Sequence, residues 1–240
     1  MLILKNDVLL FYRRIVLKHI VIAIDGPAAS GKSTVAKLIA RELNYLYVDS
    51  GALYRGVTWA GLSRGIKSTD YNSILAMLDE HSINFFVSEG SVSFSIDGKI
   101  PGKLLRTAVV NNNVSLVATH KKIRLRLVGW LREMVRFGSL VMEGRDIGTK
   151  VFANADIKIY LDASKDERTR RRYMEDIEAL NINKVGESLI KRDLLDSNRE
   201  ADPLRMAPDA HLVNTTKLPL KNVVSHTLDI IKNEISLRGE

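Results

Sequence analysis

Gly26, Gly31, Lys32 and Ser33 occupy the fixed positions of a G-x-x-x-x-G-K-S pattern. Residues of these types at this spacing hold a polyphosphate. The glycines let the backbone curl so that successive N–H groups point at an anion, and a helix opening behind them adds positive potential. On this pattern the loop Gly26, Pro27, Ala28, Ala29, Ser30, Gly31, Lys32, Ser33 and Thr34 wraps the phosphates of a nucleoside triphosphate. Lys32 reaches the β- and γ-phosphates, and the Ser33 hydroxyl ligates Mg²⁺. Average residue usage yields the bare pattern in roughly one chain of this length per hundred, so its flanks decide its weight. Residues 20–24 are all apolar, as a central parallel strand requires. Val35, Leu38, Ile39 and Leu43 repeat behind the loop at helical spacing.

Three further clusters fall where other strands are expected to end. The first is Asp49-Ser50-Gly51-Ala52-Leu53-Tyr54-Arg55. Either Asp49 or Ser50 simply caps the next helix, or Ser50 and Arg55 line an acceptor pocket opposite the loop. The second is Glu143-Gly144-Arg145-Asp146-Ile147-Gly148-Thr149. Arginine grips a phosphate bidentately, and Glu143 stands where a second carboxylate near Mg²⁺ is expected. In the third, Arg192, Asp196 and Arg199 share one helix face. A solvated salt-bridge ladder worth about 0.2–0.5 kcal/mol per pair is the plain alternative there. A basic run, Arg168, Arg170, Arg171 and Arg172, lies on another helix. It is either a solvated face or a set of mobile cations that closes over a γ-phosphoryl group. A donor loop faced by several arginine clusters implies a phosphorylated acceptor, and a lid that excludes water from the transfer.

These residues need a scaffold that brings distant segments to one edge. Strands are expected at 20–24, 45–48, 139–142, 157–161 and 210–213. Helices are expected behind the loop and at about 52–63, 69–81, 121–137, 165–180 and 187–198, with one more opening at Pro219. Residues 83–87 and 91–96, joined across Asp97-Gly98, read as a small antiparallel insertion spanning 83–102. The alternation predicts an α/β fold: a parallel sheet with helices on both faces, whose ligands sit at the carboxyl ends of the strands. The chain has 240 residues, no cysteine, five scattered histidines and a net charge of +8. Thiol chemistry and Cys-based metal sites are thereby excluded, and anionic partners are favoured. Residues 1–19 form an extension ahead of the first strand without a signal-peptide cleavage site, and the expected location is the cytoplasm. No apolar run is long enough for a membrane span.

The segments IDGPAASGKST, DSGALYR, EGRDIGTKVF and RDLLDSNREADPL together make residues 20–231 closely resemble bacterial cytidylate kinases. The resemblance implies a P-loop nucleoside monophosphate kinase domain over 20–240. Its core would be 20–63, 139–165 and 205–240, with an acceptor-binding insertion at 64–138 and a helical lid at about 166–200. It implies ATP as donor, CMP and dCMP as acceptors, Mg²⁺ as cofactor and a place in pyrimidine nucleotide metabolism. Neither a nucleic acid polymer nor a membrane is a partner, and a monomer is expected. Carried onto matching positions, Ser50, Tyr54, Arg55, Arg145 and Arg199 would grip the acceptor. Ser115, Arg124 and Asp146 would read the cytosine edge, while Arg192 and Asp196 would hold the ribose. Lys32, Arg171 and Arg172 would stabilise the transferring group. Leu195 departs from the family, which often carries Arg there. A P-loop GTPase is disfavoured because the Asn183-Lys184 pair continues Val185-Gly186 rather than completing N-K-x-D. No aromatic ladder supports a nucleic-acid-binding module. A kinase for UMP, dTMP or a small metabolite is the rival within the class.

Overall fold

A computed structural model of the protein describes residues 19–175 and 181–238. The first eighteen residues of the expected extension, and the end of the helix expected to reach Leu180, lie outside the described residues. β1 (Val21–Asp25) leads through the glycine loop into α1 (Lys32–Leu43), and β2 (Leu46–Asp49) leads directly into α2 (Ser50–Ser63). Then come α3 (Tyr71–Glu80), the hairpin β3 (Ile83–Ser88) and β4 (Ser91–Ile96), a 3₁₀ turn at Gly102–Arg106, α4 (Ala108–Thr119) and α5 (Lys121–Glu133). The second half holds β5 (Leu140–Gly144), β6 (Ile157–Asp162), α6 (Lys165–Glu175), α7 (Ile182–Asn198), β7 (His211–Asn214) and α8 (Leu220–Arg238).

The seven strands form one sheet in the order β3-β4-β2-β5-β1-β6-β7, parallel except where β3 meets β4. β1 and β5 are buried at every position, which explains why they are apolar up to the carboxylates Asp25 and Glu143 near their carboxyl ends. Alternate residues of β1 serve the two faces. Val21 and Ala23 point to a core shared with Leu53, Val57, Ile123 and Leu127; Ile22 and Ile24 point to one built with Val35, Ile39, Val223 and Ile231.

The expected antiparallel insertion is present, and it is continuous with the main sheet, because β4 runs parallel to β2 with Ser91 opposite Tyr47. It docks on α2, where a Cβ on Gly56 would come within 2.5 Å of the Phe94 ring. Some boundaries differ from expectation for local reasons. α2 starts at Ser50 because the Asp49 carboxylate caps it, accepting from the Ala52 N–H at 2.9 Å. α7 starts at Ile182 because Asn181 caps it. The helix expected to reach 137 stops at Glu133 and tightens into a 3₁₀ turn before Gly138, whose φ of 141° ends it. Residues 147–151, left unassigned by periodicity, form a π-helical turn.

Candidate active site

The donor loop leaves β1 at Gly26, where φ is 148° and a Cβ would lie 2.0 Å from the Leu161 carbonyl oxygen. Only glycine fits that approach. Gly31 is the N-cap of α1 and supplies no side-chain cap, which leaves the first N–H groups of the helix for an anion to cap. Lys32 is buried across the loop, donating to the Pro27 carbonyl at 2.6 Å. Burial and the neighbouring Arg145 push its pKa down to about 7. At the far side Thr215 donates its hydroxyl to the Ser30 carbonyl at 3.1 Å, tying the loop to the end of β7.

The Ser33 hydroxyl donates to Glu143 Oε1 at the end of β5, and the buried Tyr47 phenol donates to the same oxygen at 3.2 Å. A hydroxyl and a carboxylate, completed by phosphate oxygens and water, form the hard oxygen set that Mg²⁺ accepts. These two residues therefore fit the cation that the loop motif implies.

Across the cleft the arginines are held in place and still carry unused donors. Asp49 Oδ2 takes Arg55 at 2.6 Å and Arg106 at 3.2 Å. The capping expectation for 49–55 holds, since Asp49 caps α2; it also pairs with Arg55, and the Ser50 hydroxyl donates to the Glu143 carbonyl at 2.7 Å. Arg124 is buried and pairs with Asp146 and, at 3.1 Å, with Asp202. Arg145 donates to Asp196 at 2.9 Å. Arg199 donates to the Asp202 carbonyl at 2.5 Å and stands 3.3 Å from Asp146. The 192–199 cluster is no solvated ladder, since Asp196 and Arg199 are buried. Among the described residues, Arg55 Nε, Arg192 Nε and the Tyr54 hydroxyl are buried without a hydrogen-bond partner, and Arg199 Nη2 has only its ion pair with Asp146. Burial, then Arg145, push the Arg192 pKa down to about 10. The positive field here exceeds what the protein itself neutralises.

These groups line one cleft of about 650 Å³. From the donor loop it takes Ala28, Ala29, Gly31, Lys32, Ser33 and Thr34, with Glu143 beside them. From the opposite wall it takes Ser50, Tyr54, Arg55, Ser115, Arg124, Arg145 and Asp146, and from α6 and the end of α7 Arg172, Arg192, Asp196 and Arg199. Gly26, Pro27 and Ser30 shape the loop without lining the cleft. Arg171 is set apart from the expected lid group: it is tied to Glu167 and to Thr215, both at 2.8 Å, and does not line the cleft. Leu195 faces a second groove, between α5 and α7.

The family model described as Cytidylate kinase matches residues 22–233. The chain belongs to the cytidylate kinase family. A cytidylate kinase of Geobacillus thermodenitrificans (strain NG80-2) is 42% identical over 221 residues, covering 91% of this chain and 99% of the relative. One of Bacillus subtilis (strain 168) is 38% identical over 220 residues, covering 90% and 98%. A crystal structure of an uncharacterized protein from Eubacterium ventriosum shares the fold at 15% identity and a TM-score of 0.51, covering 89% of this chain and 99% of that one.

In this cytidylate kinase chain several residues that sequence reasoning missed hold the site together. Asp25 accepts from the Ile147 N–H at 2.8 Å and the Gly148 N–H at 2.7 Å, joining the donor strand to the loop that carries Arg145 and Asp146. A carboxylate closing an otherwise apolar strand was the available signal. Arg168 and Asp193 clasp the Ala28 peptide: Arg168 donates to its carbonyl at 3.1 Å, and Asp193 accepts from its N–H at 3.3 Å. Arg106 and Asp202 carried no signal, because each acts through a partner far away in sequence.

Proposed function

We propose that the chain transfers the γ-phosphoryl group of ATP to CMP and dCMP, giving ADP and the pyrimidine nucleoside diphosphates. One observation carries this reading at the residue level: buried arginine nitrogens without acceptors face the phosphate loop across a single cleft. A buried donor left unpaired costs about 1–3 kcal/mol, more when charged. A phosphorylated acceptor relieves that cost when it binds. Family membership supplies the identity of the base.

In this reading the N–H groups of the loop and Lys32 cradle the donor phosphates. Ser33 and Glu143 hold Mg²⁺, which when bound neutralises charge on the β- and γ-oxygens. Arg55, Arg145 and Arg199 grip the acceptor phosphate, with Ser50 and Tyr54 shaping its pocket. Arg124, oriented by Asp146 and Asp202, reads the cytosine edge together with Ser115, while Arg192 and Asp196 hold the ribose. Arg172 closes over the transferring group; Arg171 joins it only by leaving Thr215. Catalysis is mostly positioning and charge stabilisation, with no covalent intermediate.

An ADP-release assay over CMP, dCMP, UMP, dTMP and AMP, with ATP and Mg²⁺ present, tests the proposal. CMP and dCMP are expected to give the highest kcat/KM, and a preference for UMP, AMP or dTMP would overturn it.

A further inference from the structure

Glu143 Oε1 receives two hydroxyl donors of different character. Ser33 lies in the phosphate loop and can rotate about one bond toward a bound cation. Tyr47 cannot move in that way. It sits within β2 opposite Val141 of β5, its ring is buried, and the Lys37 ammonium stands 5.3 Å from the ring centroid. Its phenol reaches Oε1 at 3.2 Å, while no donor among the described residues bonds to Oε2. A carboxylate held only by a rotating hydroxyl is free to swing. A second donor fixed to the neighbouring strand sets its plane and leaves one oxygen available.

We propose that Tyr47 is a positioning residue for the divalent cation, its phenol fixing the Glu143 carboxylate beside Ser33 in the orientation that the cation needs. The inference rests on the reading that Ser33 and Glu143 hold Mg²⁺. It gives a role to a residue outside the motifs, and it explains why a phenol stands within a strand next to a phosphate loop. Outer partners of metal ligands usually change metal affinity by about 10–100-fold when removed.

The test is a Mn²⁺ titration of the full chain saturated with a non-hydrolysable ATP analogue, with free Mn²⁺ read by electron paramagnetic resonance. Tyr47→Phe is expected to weaken Mn²⁺ binding about 10-fold, with analogue binding in EDTA unchanged. A purely structural phenol would lower the melting temperature of Tyr47→Phe and leave Mn²⁺ affinity intact, which overturns the inference alone. Wild-type protein that holds no more Mn²⁺ than the free nucleotide does overturns both the inference and the cation site beneath it.

Discussion

Lys32 shows how a single side chain can report on ligand binding. Buried across its own loop and next to Arg145, it has a pKa of about 7, far below that of a free lysine. Its folded value lies below its unfolded one, so the native state binds fewer protons, and this group makes stability rise with pH between about 7 and about 10. A polyphosphate brings negative charge to the ammonium and reverses the shift. ATP binding near pH 8 is therefore expected to take up close to one proton per site, declining as pH falls below about 7. Calorimetry in two buffers of different ionisation enthalpy measures this directly; equal heats at about pH 8 would contradict it. Lys32 was legible from its motif, since the spacing G-x-x-x-x-G-K-S dictates its place. Its bond to the Pro27 carbonyl was not, because it depends on the path the loop backbone takes around the side chain.

At the scale of elements, Asp25 links the end of β1 to the turn that follows β5, 122 residues further along the sequence. Both of its oxygens accept backbone N–H groups of the π-helical turn, fixing where Arg145 and Asp146 stand relative to Lys32. Asp25→Asn keeps one acceptor and sets an NH₂ group against the other amide. We expect a loss of about 1–3 kcal/mol, read as a melting-temperature drop of about 2–4 °C per kcal/mol, with kcat falling as the loop loosens. Burial raises the Asp25 pKa to about 6. Its contribution to stability is thus full below about pH 4 and lost as pH rises through about 6, a slope that the Asn variant should lack. If Asp25→Asn melts and turns over like the wild type, the linkage is inert. The strands themselves were readable from runs such as Ile20–Ile24. The joining of β4 to β2 was not, since a hairpin signal at Asp97-Gly98 says nothing about which edge it meets.

At the scale of the whole molecule, α6 and α7 are attached to the phosphate loop by Arg168 and Asp193, which grip the carbonyl and the N–H of Ala28. Hydrogen bonds to charged groups contribute about 1.5–3 kcal/mol. Asp193→Ala is accordingly expected to speed amide hydrogen exchange across α7 by about 10–100-fold while leaving β1 and β5 unchanged. Uniform acceleration would mean that the clasp supports global stability instead of the lid. Charge spacing marks a basic run here, but not which of its four arginines grips the loop; Arg168 does so because it faces Ala28 at the end of the helix nearest the sheet. The bond from Thr215 to Ser30 spans 185 residues and carries a further consequence. Contacts this distant form late, after most of the chain is available to close on itself. During synthesis the glycine loop emerges early, yet its support from β7 exists only once residue 215 has left the ribosome. A growing chain thus carries the nucleotide motif through the synthesis of 185 further residues before the loop gains the support of its mature form.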